Sequence, residues 1–188
     1  MKKAIILMGA GENQESFWLP WLKSELEKKE YKVWLPQLPE NESPDLTKTL
    51  PFVLENGKFD SETVMVGHSA GSPLILSVLE KIGEKIKKAV LVAGLVEPMV
   101  LKNEKPEMID WQKKFLQEKY NWDKIKKNCG EFIFVNAVND PWGCNDKQGR
   151  KMFDKLGGML IINQEGHMGS DSFKQPYEEF PLLLKLLE

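Results

Sequence analysis

The feature that most constrains the fold is the alternation of short apolar runs with helical segments. Six runs of strand length are rich in Ile, Val, Leu and Phe, and several are nearly continuous rather than alternating with polar residues, as is typical of strands buried on both faces of a parallel sheet. Such a sheet needs helices on both faces, so the pattern predicts a doubly wound α/β fold, a three-layer α/β/α sandwich. The predicted strands are 3–8, 32–35, 63–66, 88–93, 131–137 and 159–163.

Prolines mark the predicted helices between these strands. Pro20 suits the first turn of a helix, where its fixed φ fits and its missing N–H is not needed. Ser43 and Pro44 predict the cap and first position of the next helix, in which Pro51 must produce a kink or a break. Pro181 predicts a local adjustment within a terminal helix in the segment PYEEFPLLLKLLE.

Length and composition indicate one domain. The chain has 188 residues, of which 41 % are hydrophobic, enough for a substantial core. No repeat, low-complexity tract or flexible linker divides it, so residues 1–188 are predicted to form a single domain. The segment 95–128 is longer than one crossover helix needs, and it predicts either two packed helices or a small lid over the strand ends.

Charge and hydropathy exclude several classes of function. A net charge of −2 arises from 26 basic and 28 acidic residues, which gives no basic surface for nucleic acid or an anionic membrane. No apolar stretch reaches the roughly 18 residues of a membrane span, and Gly9 and Gly11 interrupt the first apolar run, which favours a buried strand over a signal peptide. We therefore expect a cytoplasmic protein. Cys129 and Cys144 have no metal-site spacing, so no metal or other cofactor is expected, and nothing indicates a protein partner.

The segment VMVGHSAGSPLIL, residues 64–76, places Ser69 between a strand and a helix. The pattern G-x-S-x-G arises by chance in about 6 % of chains of this length, so its meaning depends on partners elsewhere. A serine nucleophile needs a base, and that base needs an orienting group. His68 adjoins Ser69, and its side chain must point away from its neighbour's. His167 remains as the base, in a glycine-bracketed loop beyond the last strand, at the edge where open α/β sheets bind ligands.

Four carboxylates are candidates for the group that orients His167. Asp140 directly follows the fifth predicted strand and so lies at the same sheet edge. Asp146 begins the next predicted helix, where capping or a favourable dipole interaction is its natural role. Glu165 and Asp171 flank His167 too closely in sequence to approach its ring easily. Asp140 is therefore the favoured orienting group.

The order of the candidates gives a sharper test than any one motif. Ser69, Asp140 and His167 each follow a predicted strand, in the order and strand-turn-helix context of α/β-hydrolases. On these residues the chain resembles that superfamily and, within it, the small serine hydrolases related to retinoblastoma-binding protein nine. The resemblance implies a minimal hydrolase with about six parallel strands in the order 2-1-3-4-5-6 and these three residues as the catalytic triad. The matching segments include WLPWLKSELEKKEYKVWLPQLPE, VMVGHSAGS, KKAVLVAG, WDKIKKNCGEFIFVNAVNDPW and EGHMGS.

An oxyanion hole requires two preorganised N–H donors. The turn at Ser69 between the strand and the helix is called the elbow. The backbone N–H of Ala70, at the start of the helix after this elbow, is the first candidate. The second is expected from the loop after the first strand, MGAGENQES, at Gly9 or Ala10. Many α/β-hydrolases have His-Gly at the end of this strand, whereas this chain has Met8 before Gly9, so the choice between the two donors stays open.

The expected function is that of a carboxylesterase-like serine hydrolase. It would cleave a small acyl substrate, a carboxylic ester or an amide, through an acyl-enzyme. Phe17, Trp18, Trp111 and Trp142 could line an apolar acyl site, although a place in the core is the commoner fate of large aromatics. The alternatives are a non-catalytic protein-binding or ligand-binding module on a hydrolase scaffold and, more weakly, a flavodoxin-like nucleotide binder.

Overall fold

Six parallel strands form one sheet in the order 2-1-3-4-5-6, which confirms the predicted fold class and strand order. The structure is a computed structural model that describes residues 1–99 and 106–187. Each predicted strand is present, and the last has the predicted bounds. The strands are β1 (Lys3–Leu7), β2 (Lys32–Trp34), β3 (Thr63–His68), β4 (Ile86–Val92), β5 (Cys129–Ala137) and β6 (Met159–Asn163).

Helices cover both faces of this sheet, as the apolar strands require. In the described part of the chain they are α1 (Leu19–Lys28), α2 (Leu46–Asn56), α3 (Gly71–Lys81), α4 (Pro106–Lys113), α5 (Trp122–Lys127), α6 (Asp146–Leu156) and α7 (Pro181–Leu187). Helix α1 contacts α7, whereas α3 contacts α2 and α5, and α5 contacts α6. These two sets of helices form the outer layers of the sandwich. None of the helices described is long and apolar enough to cross a bilayer.

Burial follows the position of each strand in the sheet. All six residues of β3 are buried, and β1 and β4 are buried over most of their length. Helix α3 crosses this centre, and its residues 71–79 are all buried. The edge strands β2 and β6 are partly exposed. Continuous apolar runs therefore mark the central strands, where both faces are covered.

Two of the helix predictions were wrong, namely the cap at Ser43 and the place of Pro181 inside the terminal helix. Helix α2 begins after Asp45, whose carboxylate accepts the Thr47 N–H at 2.8 Å, so the cap is not at Ser43. An aspartate is as good an N-cap as a serine, and it lies nearer the first helical turn. Helix α2 continues through Pro51 and is not split there. Pro181 is the first residue of α7. At this position a backbone N–H has no partner within the helix, so proline loses nothing by lacking one.

The segment 95–128 contains two helices, α4 and α5. Helix α5 contacts α3, α6 and β5 and so belongs to one outer layer. Helix α4 instead contributes Met108, Trp111 and Gln112 to a cavity at the carboxyl edge of the sheet. Residues 100–105 of this segment lie outside the described part of the chain. Opening of the segment as a lid stays a prediction.

The strand order reverses between β1 and β3, which are neighbours in the sheet but not in sequence. Their register pairs Leu7 with Gly67, so the loops that follow the two strands lie side by side. In open α/β sheets, ligands bind at such a switch point, outside the carboxyl ends of the strands. The topology therefore places the Gly9 loop beside Ser69.

Candidate active site

Ser69 occupies a sharp turn between β3 and α3. Its φ is +50°, in the left-handed region that costs free energy for a residue other than glycine. Its N–H donates to the Val92 carbonyl at 2.9 Å. A Cβ at Gly71 would lie 2.1 Å from the Leu7 carbonyl oxygen, and one at Gly67 would lie 2.7 Å from the Gly71 oxygen. A side chain at either position would collide with backbone atoms, so both positions of the motif require glycine.

Asp140 and His167 are hydrogen-bonded to each other. Asp140 lies in the turn after β5 and His167 in the loop after β6, and the Asp140 Oδ2 to His167 Nδ1 distance is 2.8 Å. Both side chains are buried. The other carboxylate oxygen, Oδ1, accepts the Trp142 N–H at 2.8 Å, and the His167 N–H donates to Gln175 Oε1 at 2.8 Å. The Trp142 N–H thus orients the Asp140 carboxylate, and the Gln175 side chain holds the backbone of His167.

Ser69 and His167 line one cavity. Because Nδ1 of His167 is bonded to Asp140, Nε2 is the ring nitrogen left for the Ser69 hydroxyl. Among the contacts of the described residues, no hydrogen bond joins Ser69 Oγ to His167. Hydrogen bonds of this kind are often long in free enzymes and shorten when substrate binds. The structure therefore brings Ser69 and His167 to one cavity, with Asp140 bonded to His167, and one of the two expected hydrogen bonds is present.

The predicted oxyanion donors differ in their availability. The Gly9 N–H already donates to Glu12 Oε2 at 2.7 Å. The N–H groups of Ala10 and Ala70 have no acceptor within the described residues, and both alanines line the cavity. Ala70 is the N-cap of α3, where free N–H groups and the helix dipole favour negative charge. Of the two first-loop candidates, Ala10 is therefore the better placed.

The cavity has a volume of about 390 Å³ and a mostly apolar lining. Three of the four predicted aromatic residues, Phe17, Trp111 and Trp142, contribute to it. Trp18 does not, which corrects the prediction for that residue. Its side chain is fully buried, its indole N–H donates to the Met168 carbonyl at 2.8 Å, and its ring packs against Phe180. The sequence analysis did not single out the further apolar residues of the lining, which are Leu95, Met108 and Phe115.

The sequence analysis also missed a second histidine–carboxylate pair. His68 is fully buried, and its Nδ1 lies 2.5 Å from Glu12 Oε1. The available signal was a carboxylate three residues after Gly9, in the loop beside the elbow. The sequence excludes His68 as the base because its side chain points away from that of Ser69, and the structure shows this side chain bonded to Glu12 and to the His167 carbonyl.

One group of residues offers potential metal ligands. Ligand atoms of Asp140, Cys144 and His167 lie within 4.8 Å of one another. Burial, and then the charge of Asp140, raises the pKa of the Cys144 thiol well above its usual value. A neutral thiol is a poor metal ligand, and Asp140 and His167 are already bonded to each other. This donor set therefore fits a hydrogen-bonded pair better than a metal centre.

Comparison with known proteins shows the family and the fold of this chain. A family model described as serine hydrolase matches residues 4–187. The serine hydrolase RBBP9 of Rattus norvegicus is 23 % identical over 180 residues, covering 92 % of this chain and 90 % of that protein. The crystal structure of the ydeN gene product from B. subtilis superimposes with a TM-score of 0.85 at 20 % identity, over 100 % of this chain and 97 % of the other. An esterase from Exiguobacterium antarcticum has a TM-score of 0.68 at 16 % identity, over 100 % and 92 % of the two chains. Because the family model spans nearly the whole chain, the protein belongs to the serine hydrolase family.

Proposed function

We propose that this serine hydrolase cleaves a small carboxylic ester, or the corresponding amide, through an acyl-enzyme formed on Ser69. The observation that carries the proposal is the 2.8 Å hydrogen bond between the buried Asp140 and His167, beside the cavity that Ser69 lines. Asp140 holds the Nδ1 proton, which leaves Nε2 of His167 as the acceptor for the serine proton. A buried histidine–carboxylate pair whose histidine lines the same cavity as a serine with positive φ has no evident use in a module that only binds ligands.

The reaction proceeds in two steps. In the first, His167 takes the Ser69 hydroxyl proton as the oxygen attacks the acyl carbon, and it then gives that proton to the leaving group. In the second, His167 takes a proton from water, which attacks the acyl-enzyme, and returns it to Ser69. The negative charge of Asp140 stabilises the imidazolium that exists in each tetrahedral intermediate.

The oxyanion of each intermediate would be held by the N–H groups of Ala10 and Ala70. Both are unpaired within the described residues, and both alanines line the cavity that Ser69 also lines. A close approach of the two loops supports this assignment, since a Cβ at Gly9 would lie 3.0 Å from Ser69 Cβ. Such donors are most effective when they are fixed before the charge develops.

The cavity supports a small and mainly apolar acyl group. Its volume of about 390 Å³ lies at the lower end of the range of about 300–1,000 Å³ for small-molecule sites. Phe17, Trp111 and Trp142 give the lining three large aromatic surfaces. The esterase among the similar structures favours an ester over an amide as the scissile bond.

A cytoplasmic location stays a prediction.

Turnover of a p-nitrophenyl ester series from acetate to octanoate tests the proposal. We expect hydrolysis that is fastest for the short chains and a burst of p-nitrophenol where deacylation is slower than acylation. Ser69→Ala, shown to be folded by circular dichroism, should abolish the burst and the turnover. A folded wild-type protein that hydrolyses none of the esters, or a Ser69→Ala variant that retains the activity, would favour the non-catalytic binding module instead.

A further inference from the structure

The His68 ring connects the two loops that flank the candidate nucleophile. Its Nδ1 lies 2.5 Å from Glu12 Oε1, in the loop after β1, and its Nε2 lies 2.9 Å from the His167 carbonyl oxygen, in the loop after β6. The ring is fully buried and packs edge-on against Trp18, with ring centroids 5.5 Å apart. Both nitrogens of His68 are therefore used, and neither is available to Ser69.

The chemistry of the two acceptors fixes the protons on this ring. A carbonyl oxygen only accepts, so Nε2 of His68 must carry a hydrogen. Burial alone lowers the pKa of His68, but the charge and hydrogen bond of Glu12, the bond to the His167 carbonyl and the charge of Asp140 together raise it. Glu12 Oε2 accepts the Gly9 N–H at 2.7 Å. The contacts thus describe a hydrogen-bonded pair in which both nitrogens of His68 and both carboxyl oxygens of Glu12 have partners, and the raised pKa of His68 favours its protonated form.

Glu12, together with Asn41, fixes the peptide that carries the Ala10 N–H. The Asn41 amide donates to the Gly9 carbonyl at 2.8 Å and to the Glu12 carbonyl at 2.7 Å. The Gly9 carbonyl and the Ala10 N–H belong to one planar trans peptide, in which they point in opposite directions. With the Gly9 N–H held by Glu12 and the Gly9 carbonyl held by Asn41, the direction of the Ala10 N–H is set.

We propose that Glu12 and His68 form a positioning pair, which holds the Ala10 N–H and the His167 backbone at a fixed spacing on either side of Ser69. Glu12 lines the cavity, but both of its carboxyl oxygens are bonded within the protein, to His68 Nδ1 and to the Gly9 N–H. The pair is therefore assigned no role in direct contact with the reacting oxygen. It acts through Gly9 on the oxyanion hole and through the His167 carbonyl on the general base. The inference rests on the proposed function, because it assigns the pair a role in the reaction of Ser69.

Two substitutions at Glu12 separate positioning from charge. In Glu12→Gln, the amide can donate to Nδ1 of His68 and accept the Gly9 N–H, while the Nε2–H of His68 still donates to the His167 carbonyl. All three connections survive without the ionic interaction. In Glu12→Ala, the connections to Gly9 and His68 are lost, and a water in the space cannot orient the peptide as a fixed side chain does.

We expect Glu12→Ala to lower kcat about 10- to 100-fold with KM changed less than about threefold, since loss of one oxyanion donor costs about 10²–10³ in kcat. Glu12→Gln should restore kcat to within about fivefold of wild type, an estimate that assumes an intact oxyanion hole. Glu15→Gln is the matched control, because Glu15 is an exposed carboxylate of the same loop, and it should leave kcat unchanged. The positioning role is overturned if the wild type is active and Glu12→Ala retains its kcat, or if Glu12→Gln loses as much as Glu12→Ala.

Nitrogen-15 NMR of the imidazole rings keeps the inference testable if Glu12→Ala does not fold. The chain has two histidines, so both rings can be assigned with one histidine variant. We expect a His68 ring with Nε2 protonated and protected from exchange, in the wild type and in Glu12→Gln. A His68 ring with bare Nε2 would overturn the pairing whatever the activity. An inactive wild type with an intact pair would instead overturn the proposed function, and with it the catalytic role of the pair.

Discussion

Replacement of Asp140 by asparagine tests how His167 is oriented. The Trp142 N–H donates to Asp140 Oδ1, and His167 Nδ1 bonds to Oδ2. An asparagine that keeps its oxygen on the Trp142 N–H must present its NH₂ group to Nδ1. Nδ1 then becomes an acceptor, and the proton of the neutral ring moves to Nε2. In that tautomer His167 cannot accept the proton of Ser69.

The size of the effect follows from these contacts. A wrong tautomer in a serine triad costs about 10⁴-fold in kcat, or about 5 kcal/mol. The asparagine could escape by turning its amide over, but the Trp142 N–H would then face an NH₂ group and lose its acceptor. Leaving a buried donor unsatisfied costs about 1–3 kcal/mol, so the turned form is a minor one. Removal of the carboxylate charge also weakens stabilisation of the imidazolium. We therefore expect kcat to fall by about 10²- to 10⁴-fold.

The assay is hydrolysis of the best p-nitrophenyl ester, with thermal unfolding measured in parallel. Asparagine has nearly the shape of aspartate, so the variant should fold. Asp146→Asn is the matched control, because Asp146 lies in the first turn of α6 and has no bond to His167. A folded Asp140→Asn protein with kcat within about tenfold of wild type would refute the reasoning from the tautomer.

Three further predictions concern the elbow, the buried pair and the thiols. Gly71→Ala should prevent folding or lower the midpoint of thermal unfolding strongly, because its Cβ would lie 2.1 Å from a β1 carbonyl oxygen; a variant as stable as wild type would contradict the packing. Burial lowers the pKa of His68 but Glu12 raises it overall, so the pair stabilises the fold most below the ordinary pKa of histidine and loses this contribution as pH rises through the raised value. The free energy of unfolding lost in Glu12→Gln, measured by urea titration, should therefore be larger near about pH 6 than near about pH 9. Burial raises the pKa of Cys129 to about 12 and that of Cys144 well above its usual value, so iodoacetamide should modify neither thiol in the native protein and both after unfolding, as counted by mass spectrometry.

The central strands could be predicted because burial on both faces leaves a continuous apolar signature. The ends of the strands could not. Strands β4 and β5 begin earlier than predicted, since Ile86 pairs with Cys129 across the sheet. Charged residues follow at 87, 88 and 131, and local hydropathy does not show that the backbone is already paired there. Strand pairing is a contact between residues far apart in sequence, whereas hydropathy along the sequence reports only on neighbouring residues.

The candidate triad could be predicted because a serine nucleophile needs a base and an orienting carboxylate, and few residues of these types follow a strand in the required order. Asp140 and His167 each follow a strand, and parallel strands bring such residues to one edge of the sheet. Trp18 could not be separated from the cavity residues, because a large aromatic looks the same in the core and in a pocket wall. Glu12 and His68 were missed for a different reason. The predicted strand order places the ends of β1 and β3 side by side, but it does not show which side chains meet there.

Reaction with a fluorophosphonate, followed by intact mass and peptide mapping, tests the central claim most directly. The reagent forms a stable adduct with a serine only where a base activates the hydroxyl and an oxyanion site receives the phosphonyl oxygen. The account predicts a single adduct on Ser69, absent from Ser69→Ala and formed at least about tenfold more slowly by Asp140→Asn. A folded wild-type protein that takes up no adduct, or that carries it on another residue, would contradict the account.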